Sequence, residues 1–337
     1  MTLGRLVSIV IPAYNGAATI DETLRSVRSQ TYATLEIIVV DDGSRDHTAA
    51  IVRAHAAVDA RIRLIETQNG GVAAARNRGW QESQSDLIAF VDADDLWAPD
   101  KIMRQLEALD AGGPKCGLVY CWSAKIDERS HVTDNRERPM WHGDVLEQLF
   151  RGNFVGNGSA ALVRRQALID AGGFDSGLWR AGAQGCEDIL FYARVAERHH
   201  FAVVPDYLVG YRYLHDNMSS DMGRMLRSWL MVLDEMAERH PDKRTILMEG
   251  LSAYAGWLAR RAVYLRNPHQ LRSVLVVVMK DHPAVAAQIV RQDLPRACMD
   301  MTRGGAKRAC AWARKMRHRR PTAASAPYSF PIGEIAS

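Results

Sequence analysis

The chain has 337 residues, of which 47% are hydrophobic and 24% charged, with a formal net charge of +4 at pH 7. This composition is that of an ordinary globular protein and excludes a fibrous or largely disordered chain. The five cysteines are scattered without a C-x-x-C pair, and no apolar run approaches the roughly 18 residues of a membrane span. We therefore expect no disulfide framework, no zinc site and no spanning helix, and a cytoplasmic location.

The first 91 residues alternate between strand and helix patterns. Strands are predicted at residues 6–12, 35–40, 62–65 and 87–91, with helices at 17–30, 46–58 and 70–80. This alternation is typical of an α/β fold, in which a mostly parallel sheet carries helices on both faces. Such sheets bind ligands beyond the carboxyl ends of their strands, where Tyr14, Asp42 and Asp94 lie. We expect these three residues to share one crevice.

The densest negative charge follows the fourth predicted strand. Residues 92–95 hold three carboxylates in four positions. Neighbouring carboxylates repel one another and are neutralised by protons or by a cation. A hard divalent ion bound by one or two carboxylates keeps waters and substrate phosphates as its other ligands. The stretch therefore predicts a site for a metal and a diphosphate, and it fits a polar turn before a helix at Pro99 equally well.

The middle of the chain has a less regular pattern. In order, it predicts a helix at 101–111, a strand at 117–125, a mobile surface loop at 127–141, a helix at 145–150, a strand at 160–164, a helical turn at 166–171, a flexible glycine-rich stretch at 179–185, a helix from 186 and a strand at 201–204. Trp179 in the glycine-rich stretch fits either a flap over the crevice, on the side where a second substrate, the acceptor, would bind, or a plain surface loop. We place the end of the first domain at residue 221.

The remainder predicts a helical subdomain with a basic tail over residues 222–320 and disorder over 321–337. Residues 302–320 contain eight Lys or Arg and no acid. This run fits a solvated helix face, and it also fits peripheral attachment to an anionic membrane. Nucleic acid is not expected as a partner because the run has few aromatic residues for stacking.

Five segments, in their order and spacing, resemble glycosyltransferase family 2, whose members have the GT-A fold. The segments are residues 7–15, 36–44, 70–79, 92–95 and 187–188, and the resemblance covers about residues 5–217. It implies that domain 1–221 is catalytic. It also implies metal-dependent transfer of a sugar from a nucleotide diphosphate donor, with inversion at the anomeric carbon.

The resemblance also implies roles for individual residues. Asp42 would accept from the nucleobase, Pro12, Ala13 and Tyr14 would line the base and ribose, Arg76 would lie near the donor, Asp92 near the ribose, and Asp94 on Mn²⁺ or Mg²⁺, with His215 joining the metal or the diphosphate. Asp95 is either a second metal ligand or a helix-start carboxylate. Three of these residues have structural alternatives: an Asx turn for Asp42, a solvated position for Arg76 and a structural role for His215.

Asp188 is the implied general base, which would take the proton of the acceptor hydroxyl. Its predicted place in the first turn of a helix is an objection, because the helix dipole favours the charged carboxylate and lowers its pKa. The role therefore requires positioning and partial desolvation. The alternative is ordinary charge at a helix start.

The resemblance favours a UDP-sugar donor and a glycan or lipid-linked acceptor, as in cell-envelope polysaccharide synthesis. Single additions are expected because the Q-x-x-R-W motif and membrane spans of processive members are lacking. One alternative is a sugar-1-phosphate nucleotidyltransferase, although such enzymes carry a glycine-rich basic loop where this chain has residues 12–15. Another is a catalytically silent protein that binds nucleotide sugars.

Overall fold

The computed structural model describes residues 4–213, 220–302 and 329–332. Its first half is a parallel sheet in the order β3-β2-β1-β4. The strands are β1 (Val7–Ala13), β2 (Leu35–Asp41), β3 (Ile62–Glu66) and β4 (Leu87–Phe90), and the helices between them are α1 (Ile20–Arg28), α2 (Thr48–Ala56) and α3 (Val72–Glu82). Every residue of β1 is buried, as expected for a central strand covered on both faces.

The second half continues the same sheet in the order β4-β8-β6-β9-β5. Its elements are β5 (Leu96–Trp97), α4 (Lys101–Ala111), β6 (Cys116–Ile126), β7 (Val132–Asp134), α5 (Leu146–Arg151), β8 (Leu162–Arg164), α6 (Arg165–Asp170), α7 (Gly177–Arg180), α8 (Glu187–Ala196) and β9 (His200–Arg212). β8 is antiparallel to β4 and β6, whereas β9 is parallel to β6. The predicted α/β architecture is confirmed, with a parallel first half and a mixed second half.

Two predictions for the second half were wrong in detail. The stretch 127–141 was expected to be an irregular loop, but it contains β7, which pairs with β6. β9 runs from residue 200 to 212, far beyond the predicted 201–204. The pairing of β6 with β9 skips Pro205 and Asp206 between Val204 and Tyr207. A proline and an acid are tolerated in such a bulge, and they hide the strand from a periodicity search.

The helical extension consists of α9 (Met222–Arg239), α10 (Arg244–Tyr264), α11 (Pro268–Asp281) and α12 (Pro283–Gln288). Pro268 and Pro283 occupy first helical positions, where the missing N–H costs nothing, so these prolines start helices. α10 packs closely against the end of α5 at Gly250. A Cβ at that position would be 1.9 Å from the Phe150 carbonyl oxygen, so the contact requires a glycine. The predicted helical character of residues 222–302 is thereby confirmed.

Among the residues described here, none of the helices is both long and apolar enough to cross a membrane. The basic residues 303–320 lie outside the described part. Within the stretch predicted to be disordered, residues 329–332 lie against the second half of the sheet: the Phe330 amide donates to the Ser130 carbonyl at 2.9 Å, and the Phe330 ring covers Gly210.

Candidate active site

The carboxyl ends of β1 and β2 form one edge of the crevice. Pro12 and Ala13 are the last residues of β1 and are buried, whereas Tyr14 is 51% exposed. Asp42 follows β2, and its carboxylate accepts hydrogen bonds from the amides of Gly70 at 2.9 Å and Gly71 at 2.8 Å. Burial nevertheless raises the pKa of Asp42. Asp42 thus connects the ends of β1 and β2 to the loop that begins α3.

Trp179 lies on this same edge. Gly71 has a φ of +86°, and a Cβ placed on it would be 2.7 Å from the Trp179 indole. The indole therefore covers the loop that holds Asp42. The glycine-rich stretch that carries Trp179 belongs beside the predicted nucleotide side of the crevice.

Arg76 on α3 and Asp92 after β4 form an ion pair in which the arginine is buried and the aspartate partly exposed. One Arg76 Nη lies 2.6 Å from Asp92 Oδ1, and Arg76 is 4% exposed, which excludes the solvated alternative. Burial alone would lower the Arg76 pKa, but the charge and hydrogen bond of Asp92, together with the charge of Asp188, outweigh burial and raise that pKa. The guanidinium fits here only because residue 158 is a glycine. A Cβ at Gly158 would be 2.2 Å from the guanidinium.

The acidic segment after β4 is fixed from the second half of the sheet. Asp95 is fully buried and accepts hydrogen bonds from Ser159 Oγ at 2.5 Å and from the Arg212 amide at 2.9 Å. Arg212 Nε also donates to the Asp94 carbonyl at 2.8 Å. The helix-start interpretation of Asp95 is wrong, since α4 begins only at Lys101. Both Asp95 oxygens are engaged within the fold.

Asp94 fits a hard divalent cation. Its carboxylate is partly exposed and forms no hydrogen bond to another side chain of the described residues. Burial and the negative charge of the nearby Asp92 raise the pKa of Asp94 to about 6. A bound cation would relieve the repulsion between the two carboxylates. In the described part of the chain, no group of three His, Cys, Asp or Glu could hold a metal by itself. A cation at Asp94 would thus need ligands from the substrate or from residues such as His215, which lies outside the described ranges.

Asp188 lies in the first turn of α8, as predicted. Its Oδ2 accepts a hydrogen bond from Asn153 Nδ2 at 3.0 Å, and its Oδ1 accepts one from the Ile189 amide at 2.8 Å. Burial raises the Asp188 pKa to about 6, although the positive charge of Arg76 opposes this shift. Desolvation therefore raises the Asp188 pKa by more than the helix dipole lowers it. This answers the objection to Asp188 as a base.

Sequence reasoning assigned no role to several residues around Asp188 and the acidic segment. Asn153 touches the carboxylate itself, and Ser159 bridges the Asp92 amide and Asp95. Glu187 is 3% exposed, accepts from the Gly185 amide through Oε2 and has no partner among the described residues for Oε1. Asn and Ser between predicted elements look like ordinary loop residues, so only the adjacent Glu187 carried a signal, through the acidic pair it forms with Asp188.

Comparisons with known proteins show what this chain is similar to. The family model described as "Glycosyl transferase family 2" matches residues 8–172. A putative teichuronic acid biosynthesis glycosyltransferase, TuaG of Bacillus subtilis, is 40% identical over 103 residues, which are 30% of this chain and 41% of that protein. The chain spans less than half the length of the curated relatives it matches first.

Two solved structures share the fold. TarS 1-349 of S. aureus in complex with UDP-GlcNAc gives a TM-score of 0.61 at 16% identity and covers 86% of this chain and 89% of that one. The mannosyltransferase PcManGT of Pyrobaculum calidifontis, in complex with GDP-Man and Mn²⁺, gives a TM-score of 0.56 at 23% identity and covers 90% and 81%. At these identities the likeness shows the fold, and the predicted GT-A fold with its helical extension is confirmed.

Proposed function

The chain belongs to glycosyl transferase family 2 through residues 8–172, and on that premise we propose that it moves one sugar from a nucleotide diphosphate donor to a hydroxyl group. The favoured donor is a UDP-sugar, and the acceptor is a glycan or a lipid-linked glycan of cell-envelope polysaccharide synthesis. The name of TuaG, which refers to teichuronic acid biosynthesis, supports this setting.

The observation that carries the proposal is the position of Arg76 between two acidic groups. The guanidinium is paired with Asp92 on the side of the acidic segment, and its charge also acts on Asp188. Inverting displacement at an anomeric carbon needs a group that stabilises the leaving diphosphate and a base for the attacking hydroxyl. Asp188 would supply the base, and Asp94, two residues after Asp92, would stabilise the leaving group through a bound metal ion.

On the donor side, the nucleoside would lie along Pro12, Ala13, Tyr14 and Asp42, near Asp92. Asp94, with His215, would hold Mn²⁺ or Mg²⁺, and such an ion when bound neutralises negative charge on the diphosphate. The bound Mn²⁺ named for PcManGT supports divalent metal use. Arg76 would keep Asp92 in place beside the ribose.

On the acceptor side, one Asp188 oxygen would take the proton of the attacking hydroxyl, a contribution of typically about 10²- to 10⁴-fold. Asn153 holds the other oxygen, so the carboxylate is aimed before the acceptor arrives. Displacement in a single step with this base inverts the anomeric configuration.

A thermal-shift screen against nucleotide sugars, with and without Mn²⁺, tests the donor half of the proposal. A ligand at 100 times its Kd stabilises the fold by about 2.7 kcal/mol, so a selective rise of several degrees is expected for a UDP-sugar with Mn²⁺. Asp94→Asn should lose the Mn²⁺-dependent part of this rise. Asp86→Asn, at the opposite end of β4 and exposed, is the matched control.

Retention of the full Mn²⁺-dependent shift by Asp94→Asn would refute the metal role. Release of nucleoside diphosphate from the donor, measured in parallel, separates a transferase from a silent binding protein, which would bind the donor and leave it intact.

We also propose peripheral contact with anionic lipid through residues 302–320, on the strength of their eight basic residues. Sedimentation with vesicles containing anionic lipid should fall when salt is raised or when residues 303–337 are removed. Binding that survives the truncation would exclude this segment as the attachment site.

A further inference from the structure

Three aromatic residues and one arginine form a continuous row beside Asp188. The row consists of Tyr254 and Trp257 on α10 and Tyr213 after β9, with Arg261 between the last two. The Tyr254 and Trp257 rings are stacked, with centroids 5.7 Å apart and an interplanar angle of 27°. The Arg261 guanidinium lies 5.5 Å from the Trp257 centroid and 5.4 Å from the Tyr213 centroid, and it donates a hydrogen bond to the Tyr213 hydroxyl.

Each end of this aromatic row is tied to one side of the candidate active site. The Tyr254 side chain lies near the thiol of Cys186, two residues before Asp188, and the two groups shift each other's pKa. At the other end, Tyr213 directly follows Arg212, which holds the Asp94 carbonyl. The row therefore spans from the proposed base to the acidic segment that would hold the diphosphate.

The exposure of these rings is not explained by packing. Trp257 is 46% exposed and Tyr213 is 39% exposed, whereas Leu258 and Ala259, the next residues on α10, are fully buried. Arg261 contacts both rings. Large aromatic rings that are partly open to solvent beside a cationic group are typical of ligand sites, which combine an apolar surface with a few polar groups.

We propose that this row is the acceptor subsite, in which Trp257 and Tyr213 stack against a pyranose ring of a glycan acceptor. One face of a pyranose presents several C–H groups that match an aromatic face, while its hydroxyls point outward to polar groups. Stacking there would place a hydroxyl of the same sugar towards Asp188. Arg261 acts as a positioning residue that orients the two rings.

This inference rests on the proposed transfer of a sugar and adds the part of the chain that selects the acceptor. The helical extension supplies two of the three rings. It follows that acceptor choice depends on α10, outside the residues 8–172 that match the family. Changes on α10 should alter which acceptor is used while leaving donor choice in place.

The test uses the full-length protein, the nucleotide sugar that the wild type cleaves, and methyl glycosides of glucose, galactose, mannose and N-acetylglucosamine as acceptor probes. Trp257→Ala should raise the KM for the glycoside that the wild type accepts by about tenfold or more, with a much smaller change in kcat. Trp257→Phe should restore most of the affinity. Tyr264→Ala, which removes an exposed ring elsewhere on α10, is the matched control and should leave KM unchanged.

A donor-induced thermal shift equal to that of the wild type shows that Trp257→Ala is folded. A KM within about twofold of the wild-type value would then overturn the subsite and leave the proposed transferase standing. Cleavage of the donor without transfer to any of the four glycosides would also count against a sugar-ring subsite. A wild type that cleaves no nucleotide sugar would instead refute the proposed function, and this inference with it.

Discussion

The two halves of the sheet hold their site residues in different ways. In the parallel half, residues 7–90, Asp42 directly follows a strand and is held by the amides of Gly70 and Gly71, at the start of the helix that follows the next strand. In the mixed half, residues 116–212, Asp188 is held by Asn153, 35 residues earlier in the chain. Asp42 is thus held by backbone amides 28 and 29 residues away and Asp188 by a side-chain amide 35 residues away, so the two halves differ in backbone against side-chain support from distant residues.

The same difference appears in the electrostatics. Burial raises the pKa of both Asp42 and Asp188. Two backbone amides hydrogen-bond the Asp42 carboxylate and oppose this rise, which suits a residue that accepts hydrogen bonds as an anion. Asp188 is opposed mainly by the more distant charge of Arg76 and reaches a pKa of about 6. A base should titrate near the working pH, so this pKa suits the proton transfer proposed for Asp188.

The largest effect expected from this comparison is the loss of transfer in Asp188→Asn. Its kcat should fall by about 10²- to 10⁴-fold, because an amide cannot accept the acceptor proton. The affinity for the donor, measured by thermal shift, should stay near the wild-type value because the proposed nucleotide contacts lie in the parallel half. Unchanged turnover would reject Asp188 as the base and would contradict the proposed division of roles between the two halves of the sheet.

A second prediction concerns stability at the point where the halves meet. Asp92→Asn should lower the free energy of unfolding by about 3 kcal/mol, because it leaves the Arg76 charge buried without its partner. Arg76→Met should cost less, about 1–2 kcal/mol, since the Asp92 side chain is 27% exposed and remains partly hydrated. Urea unfolding curves measure both values, and the opposite order would show that Asp92 is the more deeply buried charge.

The sequence predicted the parallel half well, because strands there alternate with helices and polar residues mark each strand end. It predicted the positions of Asp42 and Asp94 for the same reason. It could not predict that Arg76 is buried, since an arginine in an alanine-rich helix looks solvated until Gly158 and Asp92 enclose it. Nor could it predict the extent of β9, whose bulge at Pro205 interrupts the pattern, or the Asn153 contact, which depends on tertiary packing.

The third prediction is a pair of opposite pH dependences. Transfer should increase as the pH rises through about 6, where Asp188 loses its proton. The folded state keeps that proton up to about pH 6, whereas the unfolded chain releases it near pH 4, so folded stability from this group declines between those values. Glu187 and Asp92 raise the Asp188 pKa and Arg76 lowers it. The wild type should therefore lose on the order of 2 kcal/mol relative to Asp188→Asn between pH 4 and pH 7.

Unfolding curves of both proteins across that range give the difference directly, since the other acidic groups are common to both. A difference that stays constant with pH would show that Asp188 keeps an ordinary pKa and that the helix dipole outweighs burial after all.

The smallest expected effect comes from Asn153, the distant residue on which the aim of Asp188 depends. Asn153→Ala removes an N–H donor to the charged carboxylate, and such a bond favours the charged form, so its loss should move the midpoint of the pH–rate profile upward. The rate at pH 7 should fall about fivefold, which corresponds to about 1 kcal/mol. Asn135→Ala, on an exposed loop, is the control and should change neither value. A lower rate with an unmoved midpoint would mean that Asn153 only shapes its loop, through the hydrogen bond from the Gly156 amide to Asn153 Oδ1.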